Sequence, residues 1–177
     1  MAIDLKAAIR TVPDFPRAGI MFRDITTLFA DAQAFDASIV QLAEQLAFVE
    51  PSVIAGVEAR GFVLGGAVAA KLGTGFVPIR KAGKLPWRTL AEDYELEYGK
   101  ATLELHTDAV APGTRVAIID DLIATGGTAL ASISLVRRLN ATPVAFAAVI
   151  DLPDLGGAKR ILAADVPVHT LVEYSGH

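Results

Sequence analysis

The 177-residue sequence contains no cysteine, which excludes disulfides, thiolate metal sites and cysteine nucleophiles together. A chain without cysteine suits a reducing compartment, and a cytoplasmic location is the expectation. No apolar run approaches the roughly 18 residues that would suggest a membrane span. The run from Gly61 to Ala70 is short and is bracketed by Arg60 and Lys71, so no membrane association is expected. The first ten residues carry Asp4, Lys6 and Arg10, and no basic stretch leads into an apolar core with a small-residue cleavage site, so secretion is not expected. Positive charge is not in excess either. Sixteen Lys and Arg against twenty Asp and Glu give a net charge of -4, which weighs against nucleic acid as a partner. What the chain does have is 53% hydrophobic and 20% charged residues, enough to bury the core of one compact domain over residues 1–177.

Apolar spacing predicts an amphipathic helix from Gln33 to Phe48 and a buried strand from Ser52 to Val57. An Ala- and Gly-rich helix then runs from Gly61 to Leu72 and stops at Gly73, before a strand from Phe76 to Ile79. The alternation continues as strand Arg115 to Ile119, helix Gly127 to Leu139, strand Val144 to Ile150, helix Gly157 to Ala163 and strand Val168 to Val172. Strands separated by helices imply an α/β fold with a doubly wound parallel sheet. Two regions break this rhythm. One is an N-terminal segment at about residues 12–28, where Pro13, Pro16 and Gly19 interrupt regular structure. The other is an insertion at about residues 81–105, whose later half, Tyr94 to Leu105, alternates like a β-hairpin turning near Tyr98 to Lys100. Long insertions in compact domains are usually lids or binding loops.

The strongest chemical signal begins with the apolar strand Val116 to Ile119, which runs into Asp120 and Asp121 and then into Ala124, Thr125, Gly126, Gly127 and Thr128. Ligands of parallel sheets bind beyond the carboxyl ends of the strands, where these residues fall. The glycines admit a ligand close to the backbone, the threonines offer hydroxyls, and the free N–H groups of a helix start favour an anion. The adjacent acids cannot bind phosphate, but a carboxylate can accept hydrogen bonds from a neighbouring pair of sugar hydroxyls. Phosphate and sugar together indicate ribose 5-phosphate. Asp121 is expected to face the surface. Neither the Walker pattern nor the dinucleotide glycine spacing is present.

This string resembles the signature of the type I phosphoribosyltransferases, which bind 5-phosphoribosyl 1-pyrophosphate (PRPP). Three further segments resemble the adenine-specific branch: Phe22 to Thr26, Glu58 to Phe62, and Arg80 to Pro86 followed by Leu96 to Gly99. The resemblance implies the type I phosphoribosyltransferase fold with an N-terminal hood and a β-hairpin lid. It implies adenine and PRPP as substrates, AMP and pyrophosphate as products, and a homodimer. It also implies magnesium held mainly by PRPP, with no direct protein ligands. The loop from Ala124 to Thr128 would hold the 5-phosphate, and Asp120 and Asp121 the ribose hydroxyls. Arg60, Lys81 and Lys84 would hold pyrophosphate. Met21, Phe22 and Arg23 would form the adenine hood, reading the purine edge with backbone groups, and Leu122 would lie on the opposite face. Glu97 would move the purine proton, with Tyr98 closing over the site and Arg60 completing the catalytic set. His106, His169 and His177 are acid-base candidates by type, but none lies in a matching motif.

Two neighbouring readings are weaker. A hypoxanthine or guanine enzyme of this family would carry a lysine within the segment Val144 to Ile150, which has none. A PRPP-sensing regulator would need a partner module for which this short acidic chain has no room. The sequence also departs from the family pattern in places. Asp151 stands where glutamate is usual, Trp87 and Arg88 follow Leu85 and Pro86, and Gly157 is followed by Ala158, Lys159 and Arg160 rather than directly by arginine.

Overall fold

A computed structural model describes residues 3–95 and 99–176. In chain order the elements are β1 (Arg10–Pro13), β2 (Met21–Asp24), α1 (Thr26–Ala30), α2 (Ala32–Ala47), β3 (Val53–Val57), α3 (Arg60–Leu72) and β4 (Gly75–Lys81). These are followed by β5 (Thr89–Glu95), β6 (Lys100–His106), β7 (Arg115–Ile123), α4 (Gly127–Arg138), β8 (Thr142–Asp151), α5 (Gly157–Leu162) and β9 (Val168–Glu173).

Seven strands form one sheet in the order β5-β6-β4-β3-β7-β8-β9. The five from β4 to β9 run parallel, while β5 and β6 form an antiparallel hairpin that joins the edge of β4. The period-two side-chain alternation of strands divides the interior into two cores. Ala117 and Ile119 of β7 pack with Leu42, Leu46, Leu64 and Val68 from α2 and α3. Their neighbours Val116 and Ile118 face the other way, onto Ile133, Leu135 and Val136 of α4 and Ile161 of α5. Helices therefore cover both faces, and the expected doubly wound sheet is present.

Local chemistry sets the boundaries. The carboxylate of Asp31 caps α2 by accepting from the N–H groups of Gln33 and Ala34 at 2.9 and 3.0 Å. Gly73 ends α3 in the left-handed conformation, as its position after the apolar run predicts. The small residues of α3 allow the helix to lie almost on the sheet: a Cβ on Gly61 would stand 2.6 Å from the carbonyl oxygen of Ile119.

Three expectations need correction. Strand β7 does not stop at Ile119 but continues through both acids to Ile123, because β8 pairs with it as far as Asp151. The hairpin starts at Thr89 rather than Tyr94, since Thr89 pairs with His106 and Glu95 with Lys100. The N-terminal segment contains regular structure after all. Its prolines sit at the end and outside of a short ribbon in which β1 pairs antiparallel with β2, from Arg10 opposite Asp24 to Pro13 opposite Met21.

Candidate active site

A cavity of about 1170 Å³ opens where the carboxyl ends of β3 and β7 meet the N-terminal ribbon. One wall is the segment from Asp120 to Ala129, and the facing wall is Pro16 to Arg23. Glu58, Ala59, Arg60 and Lys81 close one side, and Tyr94 and Leu103 of the hairpin reach in from another. Every described residue to which the resemblance gives a role lines this space except Lys84, whose carbonyl instead accepts Nη1 of Arg80 at 3.0 Å; His106 and His169, candidates by type alone, do not line it. Glu97 and Tyr98 lie outside the described residues.

The two acids are not equivalent. Asp120 is 8% and Asp121 6% exposed, so the expectation that Asp121 faces the surface is wrong: extension of β7 under α3 buries it. Asp121 is ion-paired with Arg60, Nε to Oδ2 at 2.8 Å, and the same guanidinium lies 5.6 Å from the ring centre of Phe22. Arg60 thus bridges the acid wall and the ribbon. Asp120 accepts the backbone N–H of Asp121 at 2.8 Å. Burial, with the adjacent Asp121 carboxylate second, pushes its carboxyl well above the usual range.

Phe22 also meets Phe15 edge-to-face at 5.1 Å, giving the ribbon wall an apolar, aromatic surface. The guanidinium of Arg23 is engaged elsewhere, bonding Thr11 Oγ1 at 2.5 Å and lying 4.3 Å from the ring centre of Tyr174. Met21 and the half-buried Leu122 line opposite walls.

Several participants have no role assigned by the sequence reading. Glu58, joined to Ala59 by a cis peptide, holds Arg80 through paired bonds of 3.2 and 3.1 Å and accepts the N–H of Lys81 at 3.0 Å. The Arg80 bonds hold its carboxyl below the usual range. Arg80 is therefore neutralised in place, while Lys81 follows it into the cavity wall. The alternation of acid and base between strand ends carried no local signal of this pairing. Gly157 and Arg160 bond the backbone of the glycine loop, at the place where the sequence departs from the family pattern.

The phosphoribosyl transferase domain profile matches residues 25–172. The adenine phosphoribosyltransferase of Maricaulis maris is 60% identical over 174 residues, which covers 98% of this chain and 99% of the relative. The chain belongs to the adenine phosphoribosyltransferase family. Within that family, the adenine phosphoribosyltransferase structure from Rhodothermus marinus superposes with a TM-score of 0.90 at 52% identity, covering 96% of each chain. The Saccharomyces cerevisiae enzyme, complexed with adenine and an iminoaltritol bisphosphate, gives 0.89 at 40% identity over 95% of this chain and 96% of the other. For an adenine phosphoribosyltransferase family member, the cavity joins the expected parts. It has a glycine loop at a helix start, buried acids beside it, cations at a neighbouring strand end and an aromatic wall opposite.

Proposed function

We propose that this chain joins adenine to PRPP, forming AMP and pyrophosphate. The observation that carries this reading is one cavity lined together by a glycine-rich loop at a helix start, two buried acids and the aromatic Phe22. The loop from Ala124 to Thr128 would receive the 5-phosphate with backbone N–H groups and threonine hydroxyls. The ribose hydroxyls would donate to Asp120 and Asp121. On binding, the diphosphate would draw Arg60 from Asp121, supported by Lys81 and more distantly by Lys84. The purine would lie between Phe22 and Leu122, its edge read by backbone groups of Met21 to Arg23.

In the reaction a bond forms between a purine ring nitrogen and the anomeric carbon as the bond from that carbon to pyrophosphate breaks. The electron pair leaves with pyrophosphate, and the purine nitrogen loses its proton. Positive charge at the anomeric carbon is stabilised if departing and arriving groups are both held in place. Glu97 would take the proton and Tyr98 would cover the site. Supporting this, β5 brings its last described residue against the loop: a Cβ on Gly127 would stand 2.9 Å from the Glu95 carbonyl oxygen.

Magnesium fits as a substrate-borne ion. Among the described residues no three His, Cys, Asp or Glu gather as a ligand set. Diphosphate, ribose and water oxygens would supply most of its shell, with Asp120 and Asp121 nearby, and the ion would neutralise charge on the leaving group. Full activity in excess chelator would contradict this. We also propose a cytoplasmic homodimer; exposed Val63 on α3 and Phe76 on β4 offer apolar surface for a second copy. The deciding assay is AMP formation from PRPP and adenine beside parallel reactions with hypoxanthine and guanine. Turnover with adenine alone is expected, and preference for either oxopurine would overturn the assignment.

A further inference from the structure

The glycine loop does not hold its shape alone. The carbonyl of Ala124 accepts the N–H of Gly157 at 3.1 Å, and the carbonyl of Thr125 accepts Nη1 of Arg160 at 2.6 Å. Both donors belong to α5, far along the chain beyond β8. A trans peptide is planar, so its C=O and N–H point in opposite directions. Holding the Ala124 carbonyl toward α5 therefore turns the Thr125 N–H away from α5. Holding the Thr125 carbonyl does the same to the N–H of Gly126. Thr125 and Gly126 line the cavity.

The approach is too close for any side chain. A Cβ on Gly157 would stand 2.2 Å from the Ala124 oxygen and 2.8 Å from the Gly126 nitrogen, and one on Gly126 would lie 3.0 Å from the Gly157 oxygen. Gly126 also needs its glycine conformation, with φ of 83°. Arg160 shares a neighbouring cleft with Glu92, Asp93 and Glu95, yet its recorded bond goes to the loop carbonyl.

We infer that Gly157 and Arg160 are positioning residues that aim the loop amides at the 5-phosphate of PRPP without touching it. The inference rests on the proposed reading of this loop as the 5-phosphate site. It also gives a use to the displaced arginine: at position 160, one helical turn beyond Gly157, the side chain reaches back over the loop.

The test compares the parent with R160A, R160K and G157A. Titration with ribose 5-phosphate is run beside steady-state kinetics in which PRPP and adenine are varied separately. A charge-assisted bond to an exposed carbonyl predicts that R160A weakens ribose 5-phosphate binding and raises the KM for PRPP by about tenfold. The KM for adenine at saturating PRPP should move less than about twofold, and R160K should recover part of the loss. G157A should lose more, because its methyl group displaces the loop itself. Arg160 is exposed, so R160A should melt like the parent. Parent-like ribose 5-phosphate affinity in folded R160A or G157A, or equal rises in both KM values, would overturn the inference. Failure of the parent to bind ribose 5-phosphate would instead remove the site reading and the inference with it.

Discussion

The floor of the cavity and its covers are built on different principles. The floor, from Asp120 to Thr128, stands on a strand paired on both sides and is fixed by backbone contacts with no room for a methyl group. The covers, the β1-β2 ribbon and the β5-β6 hairpin, add charged fastenings to their strand pairing and, in the hairpin, to the buried Leu103 and Leu105. Arg10 pairs with Asp24 in the ribbon, and Arg138 holds the hairpin through the Ala91 carbonyl at 2.6 Å and Glu92 at 2.9 Å. Exposed ion pairs contribute about 0–1 kcal/mol each, whereas crowding a packed backbone typically costs about 1–3 kcal/mol. The floor is thus where an added methyl group should cost most, and the charged fastenings of the covers are where a single loss should cost least.

The sharpest way to test that division is to alter chemistry without altering shape. Glu97→Gln keeps the size of the side chain but cannot take a proton. It should lower turnover with adenine by about 10²–10⁴-fold while PRPP affinity measured without base is retained. Unchanged turnover would make Glu97 a surface residue and move the proton step elsewhere.

Next in size is Gly61→Ala on the floor. The new methyl group would meet the Ile119 carbonyl at 2.6 Å and crowd Asp120, so a loss of about 1–3 kcal/mol is expected in denaturant unfolding. Parent-like stability would show that α3 can slide on the sheet.

Asp120→Asn should act in the opposite direction on stability. Its carboxyl is held above the ordinary value of 3.8 by burial and by Asp121. As pH rises above 3.8, the unfolded chain releases this proton before the native chain does, so the native state binds more protons and stability falls. Each unit of upward shift is worth about 1.4 kcal/mol by neutral pH. The asparagine variant, which keeps an acceptor for the Asp121 N–H, should melt higher than the parent at pH 7. The two should converge in acid, and PRPP should bind the variant more weakly. A lower melting temperature at pH 7 would mean that the ionised carboxylate is stabilised by contacts beyond those described.

The smallest effect is expected in the covers. Arg10→Ala removes an exposed partner of Asp24, whose carboxyl is lowered to about 2, chiefly by the Thr26 hydroxyl and then by Arg10. The Thr26 bonds remain, so stability should change by less than about 1 kcal/mol. A larger loss would show that the ribbon is part of the cooperative core.

The same division decides what could be read from the sequence. The floor was legible because its chemistry is local: the acids, threonines and glycines are consecutive, and apolar periodicity marks the strand and helix around them. The limits of β7 were not, since pairing with β8 rather than any residue of its own carries the strand past Asp120. Burial of Asp121 followed from the same cause. The Glu58–Arg80 pair and the reach of Arg160 to Thr125 join residues separated by 22 and 35 positions, and no spacing rule links them. Tyr94 was visible as part of an alternating segment, but only the packing of the hairpin on α4 turns it toward the cavity.

Trp87 is the sole tryptophan in the chain, stands at the foot of the hairpin and is 64% exposed. Indole emission responds to the polarity around the ring. The whole tryptophan fluorescence of the protein therefore originates beside one cover and none of it from the floor, so a natural optical probe is already installed there. A stopped-flow trace with PRPP would time rearrangement of that cover without a label, and a silent trace alongside measurable binding would mean that the foot of the hairpin stays still.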